Sequence, residues 1–188
     1  MTTALWITIA VLVVAAIGII SIFNRLIALG RRCEQASSDI DVQLKQRHDL
    51  IPNLVETVKG YVGHERGALE AVMKARSAAF QASTPGAQQQ AETQLGSALG
   101  RLMAVAEAYP DLKASANFSE LAAELSDIEN KIAASRRYLN SAVNEYNVNR
   151  KQFPANVVGS AFGFTAKDAV VFAREDRTRM ETAPSVKF

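Results

Sequence analysis

Residues 118–153 read "FSELAAELSDIENKIAASRRYLNSAVNEYNVNRKQF", and they decide the fold class. Phe118, Leu121, Leu125, Ile128, Ile132, Ser135, Leu139, Ala142, Tyr146, Asn149 and Phe153 recur at alternating steps of 3 and 4. That is an unbroken heptad seam, the coiled-coil-like signature of one helical face packed on a partner. Asn117 in front of it is a candidate N-cap, with Glu120 three residues on as in a capping box, and Pro154 stops the helix. At about 1.5 Å per residue this helix is roughly 50 Å long.

The same period extends toward the N-terminus. Leu95, Leu99, Leu102, Ala106 and Tyr109 form a shorter seam that ends before Pro110. "STPGAQQ" (83–89) carries Pro-Gly turn chemistry and reads as a loop. Leu54, Val58, Tyr61 or Val62, Leu69 and Val72 mark another amphipathic run, and Leu26, Leu29, Cys33, Ala36, Ile40 and Leu44 a further one. No segment from 24 to 153 alternates as a strand does. Four helices, at about 24–48, 50–82, 88–109 and 118–153, are expected to pack as an antiparallel bundle.

"ALWITIAVLVVAAIGIISIF" (4–23) is twenty residues without a charge, enough as a helix to cross a hydrocarbon core of about 30 Å. A secretory signal is the rival reading, but Met1-Thr2-Thr3 has no basic side chain and Asn24-Arg25 offers no small-x-small cleavage site. A soluble-core helix is a weaker rival, because such helices usually show a polar face. The sequence therefore predicts an all-α protein whose N-terminal transmembrane helix is continuous with the four-helix bundle. The basic residues Arg25, Arg31, Arg32, Lys45 and Arg47 lie on one side of the span, so residues 1–3 are expected outside and the bundle in the cytoplasm, as a single-pass signal-anchor. Arg25, Arg31 and Arg32 are candidate lipid-facing cations, unless they serve only to set orientation. One cysteine, Cys33, excludes an internal disulfide.

"DVQLKQRHDLIPNLVETVKGY" (41–61) looks at first like chemistry. Pro52 is tolerated in a first helical turn and costs about 3 kcal/mol in the middle of a helix. Asp49 is placed to cap a helix that starts there, so Asp49 and Pro52 are read as a corner between the first two helices, with a kinked continuous helix as the alternative. His48 and His64 are sixteen residues apart and read as capping or solvent-facing. After His64-Glu65 the zincin pattern needs a second histidine at position 68, which is Ala. No Glu-x-x-His pair, phosphate loop or nucleophile elbow occurs. Catalytic, cofactor-binding and metal-ligating residues are therefore all assigned as none. With 21 basic and 19 acidic residues, a net charge of +2 is no nucleic-acid-binding profile.

"FPANVVGSAFGFTAKDAVVF" (153–172) is apolar and rich in aromatics and glycine. It is expected as an irregular cap over 154–173, packed within its own chain or on a neighbour. Phe153, Pro154, Phe162, Phe164 and Phe172 are the candidate interface residues. Residues 174–188 read as a disordered charged tail.

"IDVQLKQRHDLIPNLVETVKGYVGHE" (40–65), "YPDLKASANFSEL" (109–121), "ENKIAASRRYLNSAVNEYN" (129–147) and "FPANVVG" (153–159) together resemble the LemA family. The matching positions include Asp41, Arg47, Asp49, Pro52, Asn53, Glu65, Tyr109, Arg136, Tyr138, Asn140, Tyr146 and Asn147. The resemblance implies a bacterial membrane-anchored helical bundle with a short N-terminus outside. It brings no catalytic residue, since the family has no established catalytic function. The expected role is a non-enzymatic scaffold at the cytoplasmic face of the inner membrane. Its expected partners are membrane lipids, further copies of itself and an unidentified membrane or cytoplasmic protein. A monomeric signalling adaptor coupled through the membrane helix is the alternative.

Overall fold

The computed structural model describes residues 2–62 and 65–169 of the chain. Its first helix, α1, runs Thr2–Lys59 without a break. At about 1.5 Å per residue it is a rod of roughly 87 Å. α2 (Arg66–Gln81), α3 (Pro85–Glu107), the short α4 (Pro110–Lys113), α5 (Ala116–Lys151) and α6 (Ala155–Ala161) follow, with no strand among the described residues.

The corner expected at Asp49 and Pro52 is not formed, because α1 continues through both. Pro52 has no amide hydrogen to give the His48 carbonyl one turn back. Arg76 of α2 replaces that donor: its Nε donates to the His48 carbonyl at 2.7 Å. Ile51, Leu54 and Val58 are all buried, so the apolar face runs on past the proline. The chain leaves α1 at Gly60 instead, where the amides of Tyr61 and Val62 both bond to the Val58 carbonyl.

Two helix starts also differ from expectation. "TPG" opens α3: Thr84 Oγ1 accepts from the Ala87 amide at 3.3 Å, and Pro85 occupies the first-turn position where its missing donor costs nothing. α5 begins at Ala116, and the Ser115 hydroxyl, not Asn117, accepts from the Phe118 amide at 3.5 Å. Residues 154–173 are not wholly irregular, since α6 lies within them. A turn at Gly163, with φ 74°, then leads into a strap without regular secondary structure. Glycine adopts that left-handed conformation without a Cβ clash. Phe172 and the tail at 174–188 lie outside the described residues.

The described residues group into two units, those of Met1–Ile40 with Ala134–Phe188 and those of Asp41–Ala133. In the first, Leu26, Leu29, Cys33, Ala36 and Ile40 of α1 are buried, as are Leu139, Ala142, Val143 and Tyr146 of α5. Gly30 faces the Tyr146 ring and Arg32 pairs with Glu145 at 3.0 Å, so the two stretches run antiparallel. Residues 2–21 of α1 are exposed throughout. α1 is the one helix among the described residues that is long and apolar enough to cross a membrane. In the second unit a single core joins Ile51, Leu54, Val58 and Val62 to Leu69 and Val72 of α2, Leu95, Leu99 and Leu102 of α3, Leu112 of α4 and Phe118 and Leu125 of α5. Each fully buried Leu, Ile or Val contributes about 1.5–3 kcal/mol.

Candidate functional site

The Asp41–Ala133 unit encloses a charge cluster that the sequence reading passed over. Arg47, His48 and Glu92 are all buried. α1 brings Arg47 and His48 to the inner face, where they occupy the seam between Leu44 and Ile51. α3 contributes Glu92, one turn before Leu95 and Leu99. One Arg47 guanidinium nitrogen pairs with Glu92 Oε2, and the other donates to Glu129 Oε1 of α5 at 2.6 Å. His48 Nε2 lies 2.9 Å from Glu92 Oε1. Burial pushes the Glu92 carboxyl upward, but His48 and Arg47 together outweigh it and hold it below its ordinary range.

This arrangement opposes catalysis at the cluster. Arg47 engages Glu92 Oε2, and the Glu92 side chain is only 2% exposed, so no substrate reaches it. The Arg47 guanidinium already occupies the space where a metal ion would have to sit between the carboxylates. Three long helices are instead tied together at one level, and that is structural chemistry. An open groove of about 510 Å³ lies elsewhere in this unit, lined by Val55, Lys59, Val62, Arg66, Leu69, Glu70 and Met73. Among the described residues it brings Lys59, Arg66 and Glu70 as charged groups, with no paired carboxylate.

The other unit carries the predicted interface residues. The Phe23 ring meets Phe162 at 5.0 Å and Phe164 at 5.5 Å, both edge to face. The strap after Gly163 is fastened to α5. Tyr146 Oη donates to the Thr165 carbonyl at 2.9 Å, and Asn147 both donates to the Lys167 carbonyl at 2.8 Å and accepts from its amide at 3.1 Å. Arg150 donates to the Phe164 carbonyl at 3.2 Å. Residues 164–167 thus pack within their own chain. Phe153, Pro154 and Phe162 remain exposed, while Phe164 is partly covered.

The three candidate lipid-facing cations divide. Arg31 pairs with Glu34 at 3.2 Å and Arg32 with Glu145, whereas Arg25 has no carboxylate partner among the described residues. Burial pushes the Cys33 thiol above its ordinary range, so it is a packing residue and a poor nucleophile. His64 lies outside the described residues. The missed signal was register: Leu44, His48 and Ile51 follow the same steps of 4 and 3 as the apolar seam, so the polar pair at 47–48 falls at a core position.

An all-α chain with a bare apolar N-terminal helix, a buried structural ion cluster and no assembled catalytic group among the described residues defines a class: a membrane-associated helical protein. The LemA family model matches residues 36–188, and the chain belongs to the LemA family. It is also similar to magnetosome proteins MamQ 1 and MamQ 2 of Paramagnetospirillum magneticum, each 24% identical over 168 residues covering 76% of this chain. Magnetosome protein MamQ of Magnetospirillum gryphiswaldense is 23% identical over the same share. The chain spans 62% of the length of these relatives.

Proposed function

We propose that the chain is a non-enzymatic scaffold, tethered to a membrane by residues 4–23, that self-assembles and holds protein partners or membrane at one face. α1 carries this reading: one unbroken helix bears a charge-free exposed run and then supplies buried side chains to both packed units. A tether continuous in sequence with packed helices keeps them at the membrane, and that is what a scaffold requires. The MamQ relatives are named for a structure and not for a reaction, which favours a non-enzymatic role. The same continuity is compatible with the second reading, a monomeric adaptor coupled through the membrane helix.

The basic excess after the span favours an N-terminus outside and a bundle in the cytoplasm, at the bacterial inner membrane. Ser97 of α3 is exposed and suits a reporter thiol, since Cys33 is buried. Full-length Ser97→Cys should stay in the membrane pellet through alkaline extraction. In intact spheroplasts it should resist a membrane-impermeant maleimide, and it should react once they are lysed. Release by alkali would remove the tether, and labelling of intact spheroplasts would reverse the orientation.

A further inference from the structure

Phe23 is the last residue of the charge-free run; Asn24 and Arg25 follow it. Its ring contacts with Phe162 and Phe164 bring the end of the 153–164 segment to that point on α1. α6 turns Val158 and Gly159 inward, and a Cβ on Gly159 would come within 3.9 Å of Leu26 and 3.4 Å of Arg150. α6 is therefore held within about one helical turn of the end of the run. Its other side is bare: Phe153 is 83% exposed, Val157 59% and Phe162 58%. Residues 152–162 contain no charge, and the exposed cations Arg25 and Lys151 flank them.

We propose that residues 153–162 seat in the lipid–water interface of the membrane that α1 crosses. Phe153, Val157 and Phe162 enter the acyl boundary, while Arg25 and Lys151 meet anionic head groups. The inference rests on the membrane-spanning reading of residues 4–23. A span of twenty residues matches the hydrocarbon thickness, so its last residue lies at the head-group level, and Phe162 touches that residue. Aromatic side chains are favoured at this depth, and basic side chains beside them are drawn to anionic lipid. The bare face is continuous with the bare span, so lipid covers both without a second partner. Contacts between copies of the scaffold then use other surfaces.

Tryptophan fluorescence in vesicles of phosphatidylcholine and phosphatidylglycerol, with and without lipid brominated near the head group, tests this. The native chain has one tryptophan, Trp6, which reports on the span itself. In a Trp6→Phe background, Val157→Trp and Ala161→Trp report on the bare face. Tyr138→Trp is the control, because Tyr138 is half exposed and lies roughly 24 Å farther along the helices. Circular dichroism checks that each variant is folded, and two face positions guard against loss of one. The expected result is quenching of about twofold or more at Trp6 and at the face, and none at 138. Quenching at Trp6 with none at either face position overturns the inference and leaves the span intact. Absence of quenching at Trp6 removes the span, and the inference with it. A blue-shifted, unquenched face signal that reverts on dilution with lipid would assign the face to a second copy and overturn it too.

Discussion

Pro52 removes an amide in the middle of α1, and Arg76 supplies its replacement from a neighbouring helix. Arg76→Ala should therefore cost about 1 kcal/mol, the low end of the penalty for leaving a carbonyl without a donor, because this bond is only partly buried. In a Pro52→Ala background the residue 52 amide can serve the His48 carbonyl itself, so the same substitution should cost clearly less. A denaturant-unfolding double-mutant cycle reads the coupling, expected at about 1 kcal/mol; additive losses would contradict this role for Arg76. Glu92→Ala should cost about 3–5 kcal/mol, because Arg47 then loses its buried partner. The folded Glu92 carboxyl sits below its ordinary range, so the unfolded chain takes up the proton at a higher pH than the folded chain. Its contribution is complete above the ordinary carboxylate range and fades as pH falls through that range toward the lower folded value. The stability gap between wild type and Glu92→Gln should accordingly narrow as pH falls below the ordinary carboxylate range. At this scale sequence was a poor guide. A histidine beside an aspartate and a proline resembles a helix start, and nothing local announces that a guanidinium from α2 and a carboxylate from α3 complete the site.

The helical elements were legible where the apolar period was long. Every apolar position expected on the 26–44 seam is buried, and in 118–153 Leu125, Ile128, Ile132, Leu139, Ala142 and Tyr146 are buried as the spacing requires. Boundaries were less legible, since a Pro-Gly pair suits a turn and a helix start equally. Only the Thr84 hydroxyl bonded to Ala87 decides between them. The strap over 164–167 belongs to the same class: its aromatic and glycine content gives no period, and tertiary hydrogen bonds to Tyr146, Asn147 and Arg150 hold it. Asn147→Ala deletes two of these bonds, at about 1 kcal/mol each. The strap should open more often, so limited proteolysis at 163–169 should speed up by roughly tenfold with helicity unchanged. An unaltered cleavage rate would mean that Asn147 does not hold the strap.

For the whole molecule, fold class and family were readable because both depend on long patterns: a charge-free run of twenty residues, a heptad seam over 118–153 and several extended motifs. The interior ion cluster and the exposed face of α6 were not, since each depends on which helices meet. The scaffold reading requires that the tethered protein assemble. Its most direct test is the protein mass, by light scattering, of the detergent-solubilised full-length chain beside a fragment that starts at residue 24. The chain has a mass of 20.4 kDa. A defined full-length oligomer several times that mass, lost or reduced in the fragment, is the predicted result. A 20.4 kDa particle from the full-length chain at every concentration would contradict the scaffold and leave the monomeric adaptor.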